Sequence, residues 1–308
     1  MARRETEGGN DLAHALKGGT AMKRVAVFGI AGFSGRHFER FVAGEGLGGK
    51  YEFFGFGRDL SRAERSGIFS YREGDACEDT EVFRFVDEVR PVYVLNLTGI
   101  FRAASLRQFV AVNVGVSQAI CEAVRRSDRD IQKILLVGSA AEYGAIIANP
   151  VKEDAEVRPM SQYGLSKLYQ TLLSGYFFRN YGLPTVVART FNILGEGLSP
   201  QLSIGSFMKQ IADLPDGGTI RVGNVSTSRD FLDISEVSRR YWDLLIKGVP
   251  GEIYNVCSGV PRTIRSVLDE LIRESGKKLS IELDPSLLRE RDIDSIYGDS
   301  TKFDQFVR

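Results

Sequence analysis

Val25-Ala26-Val27-Phe28-Gly29-Ile30-Ala31-Gly32-Phe33-Ser34-Gly35 joins a short apolar run to three evenly spaced glycines, and a helical pattern follows from Arg36 to Ala43. The apolar run reads as a buried strand. Strand, Gly-x-x-Gly-x-x-Gly and helix is the arrangement a dinucleotide site needs. The first glycine permits a tight turn, the second lets the backbone approach a pyrophosphate, and the third lets the helix pack close. The helix N-terminus then offers its free N–H groups to the phosphates. Gly29, Gly32, Phe33, Ser34 and Gly35 are therefore expected to bind a nucleotide cofactor.

Working outward, the same edge of a parallel sheet collects further candidates. The next strand, Tyr51 to Phe56, runs into Gly57-Arg58-Asp59-Leu60-Ser61-Arg62. An acid at that strand end would hold a ribose 2′-hydroxyl, whereas Arg58 and Arg62 suit a 2′-phosphate. NADP (as NADPH) is expected ahead of NAD, with Asp59 keeping NAD open. Asp75, with Ala76 beside it, is placed at the adenine edge. After a helix over Val82–Val89, the strand Val92–Leu95 ends in Asn96-Leu97-Thr98-Gly99. Ligands of doubly wound sheets sit outside the carboxyl ends of strands, so Leu97, Thr98 and Gly99 join the cofactor set. Asn113 falls inside the helix Phe109–Val124, where asparagine is disfavoured unless its side chain has another task.

The chemistry is expected at Ser161-Gln162-Tyr163-Gly164-Leu165-Ser166-Lys167. Tyr163 and Lys167 are one helical turn apart on the same face. A phenol beside an ammonium is expected to have its pKa lowered from about 10 toward the working range. Ser139, at the tip of the strand Ile134–Val137, stands where a partner for that phenol is needed.

Composition narrows the alternatives. The chain has 308 residues, long enough for one large α/β domain or two interleaved ones, and its 40 basic and 40 acidic residues cancel. No overall field favours nucleic acid or an anionic membrane. Cys77, Cys121 and Cys257 lack metal-ligand spacing and fit a reducing, cytoplasmic setting. With His14 and His37 as its only histidines, the chain is poorly equipped for a histidine-built zinc site or a Ser-His-Asp triad. No apolar run reaches the about 18 residues of a membrane span. Residues 1–21 read as a disordered leader or an upstream start. Residues 22–190 read as a Rossmann-type, doubly wound parallel α/β domain. Residues 191–308 read as mainly a smaller substrate-binding α/β domain, with part of 230–260 returning to the sheet.

Taken together, the Gly29/Gly32/Gly35 loop, Asp75, Asn113, Ser139, Tyr163-x-x-x-Lys167, Arg189-Thr190-Phe191-Asn192 and Arg229-Asp230-Phe231-Leu232-Asp233 resemble the extended short-chain dehydrogenase/reductase family, in its nucleotide-sugar branch. Gly138 to Gly144, Arg221-Val222-Gly223-Asn224 and Tyr254 to Gly259 look most like the GDP-4-dehydro-6-deoxy-D-mannose reductases within it. The family's 4,6-dehydratases carry an acidic or small polar residue and then Glu directly after the Ser/Thr. Here those positions are Ala140 and Ala141. Glu142 lies one residue further, and on an extended strand end its side chain is expected on the other face.

The resemblance implies an NAD(P)H-dependent reduction of a sugar C4 ketone, with GDP-4-keto-6-deoxymannose the preferred substrate. Tyr163 would be the proton donor and Ser139 its partner on the same oxygen. Lys167 would tune Tyr163 and hold the nicotinamide ribose, and Asn113 would support a water relay to it. Ser139, Glu142, Tyr163, Asn192, Arg229 and Arg289 are taken as substrate contacts, and no metal is expected. An NAD-dependent 4-epimerase needs the same Ser, Tyr and Lys and stays open, as does a non-catalytic NADP-binding sensor. The family often dimerises, through the helix after Asn96 and the tyrosine helix. The chain departs from the family around Asn96-Leu97-Thr98-Gly99-Ile100-Phe101-Arg102, where His-Leu-Ala-Ala and soon after it a substrate-facing serine are common, and Ile100, Phe101 and Arg102 stand instead.

Overall fold

Lys23–Phe28 (β1), Tyr51–Gly57 (β2), Phe69–Glu73 (β3), Tyr93–Asn96 (β4), Lys133–Ser139 (β5) and Thr185–Thr190 (β6) share one sheet with the much later Ile253–Val256. This is a computed structural model, and it describes residues 22–127, 130–146, 148–288 and 292–307. The expected leader, residues 1–21, lies outside the described residues. The seven strands run in the order Ile253–Val256, β6, β5, β4, β1, β2, β3, and every neighbouring pair is parallel. The order reverses between β1 and β4, which opens a crevice at their carboxyl ends.

Alternation along the strands decides which face each residue covers. Val25 and Val27 of β1 enter one core with Phe38 and Val42 from Phe33–Gly44 (α1) and Val237, Tyr241 and Leu244 from Ile234–Lys247. Ala26 and Phe28 enter the other, with Val82, Phe85 and Val89 from Asp79–Val89 (α2). That second core also takes Val116 and Ile120 from a helical run (α3) built of Leu106–Phe109, a π-helical turn Val110–Gly115, and Val116–Arg126. Both faces are thus covered, which is why the strands read as continuous apolar runs. Gln162–Tyr181 (α4) crosses from β5 back to β6.

Most of the chain after β6 builds a separate apolar cluster. Ile204, Phe207 and Ile211 of Ser203–Asp213 pack on Val267 and Leu268 of Ile264–Ser275. The parallel pair Thr219–Val222 and Ser280–Leu283 supplies Ile220 and Val222 to it. A small sheet centred on Ser228–Asp233 receives Asn192–Leu194, Pro261–Thr263 and Ser295–Ile296. Among the described residues no helix is long and apolar enough to cross a membrane.

Asp230 rivets this small sheet to the large one. Its carboxylate is fully buried and accepts from Ser258 N and Oγ at 2.7 Å each, Gly259 N at 2.9 Å and Gly298 N at 3.2 Å. Asp230→Asn keeps the shape but turns one acceptor into a donor facing N–H groups. Urea unfolding is expected to show a loss of about 2–3 kcal/mol. A variant within about 0.5 kcal/mol of the parent contradicts this account.

Candidate active site

The cofactor cradle is made of backbone. Gly29 sits at φ +79°, and a Cβ there would lie 2.9 Å from Thr98 N. A Cβ at Gly35 would lie 2.3 Å from the carbonyl oxygens of both Gly29 and Ile30. Glycine is therefore required at both ends of the loop, first for the conformation and then for the packing of α1. No side chain caps α1 at Gly32, so the first-turn N–H groups of Phe33, Ser34 and Gly35 stay available to an anion. Across the crevice Thr98 Oγ1 is buried without a hydrogen-bond partner. A Cβ on Gly99 would come within 3.3 Å of both Lys167 Nζ and Asn113 Oδ1. A bare loop, an uncapped helix and an unpartnered hydroxyl together fit a dinucleotide.

At the neighbouring strand ends Arg58 is exposed, with Nη1 3.9 Å from Asp75 Oδ2. Arg62 is exposed in the following 3-10 turn, Leu60–Arg62. Asp59 is occupied in capping that turn, accepting from Ser61 N at 2.9 Å, and these hydrogen bonds hold its carboxyl below the usual range. Asp75 accepts from Cys77 N at 2.9 Å, and Ala76 packs against the core that holds Phe54 and Phe56 of β2.

The reactive groups meet because α4 approaches the end of β5 unusually closely. A Cβ on Gly164 would lie 2.3 Å from Ala141 O, so no other residue fits beside Tyr163 without moving the helix. Ser161 caps α4 through Gly164 N at 3.0 Å. The approach brings the Tyr163 phenol beside the Ser139 hydroxyl, which acts on its proton affinity. Ser139 ends β5 in extended geometry (φ −151°, ψ 142°) and caps the short turn Ala140–Glu142. Lys167 is buried and donates to Val137 O at 2.8 Å and Gln170 Oε1 at 2.9 Å.

Two expectations need correction here. Lys167 was expected to lower the Tyr163 pKa, but the phenol is pushed above its ordinary value. Desolvation by the surrounding protein is the main cause, and the neighbouring Ser139 hydroxyl offsets it only in part. Burial also pushes Lys167 down to about 8, which the Glu142 charge partly opposes. Helical spacing brings the two groups near but does not report how completely water is excluded from them. Glu142 was expected among the substrate contacts. It is fully buried and bonded to Ser139 N, Thr171 Oγ1 and Arg189 Nε at 2.9, 2.8 and 2.9 Å, so no oxygen faces the crevice.

The other candidates are more dispersed. Asn113 is buried in the π-helical turn, a form of helix that often marks functional sites. Its amide clamps the Ile100 backbone in both directions, at 2.8 and 3.0 Å, and donates to Ser166 Oγ at 2.9 Å. It thereby fixes the loop after β4 against α4. Asn192 is exposed where the two lobes join and donates to Asp230 O at 2.9 Å. Arg229 is engaged with Asp292 Oδ1 at 2.7 Å and Ile293 O at 2.7 Å. Arg289 lies outside the described residues. Gln170, Ser166 and Gly164 were not singled out from sequence, although Gln170 stands three residues beyond Lys167, at contact spacing on a helix.

Lys167 gives a pH test with a defined sign. Its folded pKa of about 8 lies below the ordinary lysine value of 10.5. Its contribution to stability is therefore full above the unfolded value and is lost as pH falls through about 8. The stability of the parent relative to Lys167→Met should rise between pH 7 and pH 10. A difference that does not change with pH contradicts the buried-lysine account.

The sequence model of the NAD dependent epimerase/dehydratase family matches residues 25–257. GDP-6-deoxy-D-mannose reductase of Pseudomonas aeruginosa is 34% identical over 160 residues, covering 50% of this chain and 53% of that protein. The match thus spans about half the length of that curated relative. A putative epimerase from Burkholderia cenocepacia superposes with a TM-score of 0.83 at 27% identity, covering 94% of this chain and 93% of the other. RMD from Pseudomonas aeruginosa, solved in complex with NADPH, superposes at 0.78 with 24% identity over 92% of each chain, a likeness of fold. With most of its length inside the family match and the glycine cradle in place, the chain belongs to the NAD dependent epimerase/dehydratase family.

Proposed function

We propose that the protein is an NADPH-dependent oxidoreductase. On this reading it reduces the C4 ketone of a nucleotide-diphosphate 4-keto-6-deoxy sugar, with GDP-4-keto-6-deoxymannose the preferred substrate, to GDP-rhamnose or its C4 epimer. The observation that carries this is Tyr163, a half-buried phenol beside Ser139 whose pKa is raised by desolvation. Ala140 and Ala141 stand beside it where elimination would need an acid and a base. Such a site is built to give a proton to an oxygen and has no further groups for removing water. The half-length similarity to a GDP-6-deoxy-D-mannose reductase supports the same direction.

Gly29, Gly32, Phe33, Ser34, Gly35, Leu97, Thr98 and Gly99 would hold the dinucleotide. Arg58 and Arg62 would meet a 2′-phosphate, with Asp75 and Ala76 near the adenine. A bound nicotinamide would supply the hydride. As the carbonyl electrons move to oxygen, Tyr163 Oη donates its proton there and Ser139 Oγ shares the developing charge. Lys167 lies one turn from Tyr163 with a pKa of about 8, suited to returning a proton to the phenolate from solvent. Asn113 keeps the Ile100 loop and α4 in register, so that these groups stay in line. Asn192, Arg229 and Arg289 are the candidate contacts for the sugar nucleotide. Exposed Tyr169, Leu172 and Tyr176 along α4 support a homodimer through this helix and the helical run after Asn96.

A nucleotide-sugar 4-epimerase is the second reading, favoured by the Burkholderia cenocepacia structural likeness and by the sufficiency of Ser, Tyr and Lys for it. Arg58 weighs against it, because a cationic strand end suits NADPH, the carrier used for net reduction. Turnover of NADPH should be seen with one of the GDP-, dTDP- or UDP-4-keto-6-deoxy sugars. Tyr163→Phe is expected to lower it by at least about a hundredfold; near-normal turnover in that variant sinks the mechanism. Arg58→Ala should raise KM for NADPH about tenfold and leave that for NADH unchanged. Equal effects on both would remove the 2′-phosphate role.

A further inference from the structure

The geometry points to Glu142 as a positioning residue that fixes Ser139 against the helix face carrying Tyr163 and Lys167, although it touches neither substrate nor cofactor. This rests on the reading of Tyr163 as the proton donor. One carboxylate ties three elements together beneath the reacting groups. Oε1 accepts from Ser139 N at 2.9 Å, so it fixes the last extended residue of β5, whose hydroxyl meets the phenol. Oε2 accepts from Thr171 Oγ1 at 2.8 Å and Arg189 Nε at 2.9 Å, reaching α4 and β6. Tyr163, Lys167 and Thr171 follow one another at four-residue spacing, so Glu142 grips the helix face that carries the other two.

Neighbouring residues leave room for this carboxylate and balance it. A Cβ on Gly138 would lie 2.7 Å from Glu142 Oε1, so β5 carries glycine where the acid folds back. Arg189 faces it from β6, with its guanidinium 4.8 Å over the Tyr143 ring and Nη1 on Glu153 O at 3.1 Å. Tyr143 in turn donates to Asn255 Oδ1 at 2.7 Å. The charged and titratable groups around Glu142 are thus Arg189 from β6, Tyr163 and Lys167 from α4, and Tyr143 beside it, with Glu153 behind the arginine. Burial pushes the Glu142 carboxyl up, against the opposing pull of Arg189, Ser139 and Thr171. A buried ion pair of this kind is a poor source of stability. Its negative charge raises the proton affinity of both Tyr163 and Lys167, which favours a donor that stays protonated until reduction begins.

The test follows Glu142→Gln in the full chain by two readouts, with Tyr163→Phe as the control. One is the pH dependence of ketone reduction. The other is the titration of Tyr163 in protein labelled with carbon-13 at tyrosine Cζ, the Tyr163 signal being identified by its loss in Tyr163→Phe. Glu142→Gln should lower kcat about tenfold or more with KM within about threefold. The alkaline limb of kcat and the Tyr163 titration should both move to lower pH by about half a unit or more. A variant with kcat, limb and titration unchanged overturns the proposal. Should Glu142→Gln not fold, Glu142→Leu combined with Arg189→Met removes the pair without leaving a buried charge and is judged by the same readouts. Reduction surviving in Tyr163→Phe overturns the parent reading; an inactive Tyr163→Phe beside an unshifted Glu142→Gln overturns this proposal alone.

Discussion

The seating of α4 on the end of β5 is the contact on which the rest of the site depends. Gly164 against Ala141 O allows an approach that any side chain would block, and with it Lys167 is shut away from water while Tyr163 is half-buried. Exclusion of water then sets their chemistry: the phenol keeps its proton and the amine loses its proton more readily. An exposed pair at the same spacing would behave as an ordinary tyrosine and lysine. Desolvation turns the spacing into a pair whose proton affinities are both shifted.

Around that contact the sheet does the positioning. The reversal between β1 and β4 opens the crevice; the glycine loop and the Thr98 hydroxyl stand at the carboxyl ends of these two strands, and Ser139 at the end of β5 beside β4. The second lobe is held to this edge by Asp230, whose four accepted hydrogen bonds come from the segments after Val256 and before Thr301. On the proposed function, a sugar nucleotide entering between the lobes would meet the strand ends of the large sheet on one side and Asn192 at the junction on the other.

How much of this was legible in the sequence depended on how local each constraint is. The glycine loop could be read because a tight turn, a close phosphate and a packed helix each demand glycine within a few residues. The Tyr163–Lys167 turn could be read because helical spacing is local too. The direction of the Tyr163 pKa could not, since it comes from burial created by β5, the π-helical turn and α4 together. Glu142 was misplaced for a related reason. Its partners Thr171 and Arg189 lie 29 and 47 residues away, and only the assembled sheet shows that they converge on it. Arg229 finds Asp292 across 63 residues, a pairing that motif order alone does not disclose.

The central claim is net reduction at a sugar C4 with the proton supplied by Tyr163. It is tested most directly by incubating the protein with NADPH carrying deuterium at the transferable position of its nicotinamide and a GDP-4-keto-6-deoxy sugar, then examining the product by NMR. The account predicts one sugar reduced for each NADPH oxidised, with deuterium at C4 on one face. Interconversion of C4 epimers without net consumption of NADPH would contradict it.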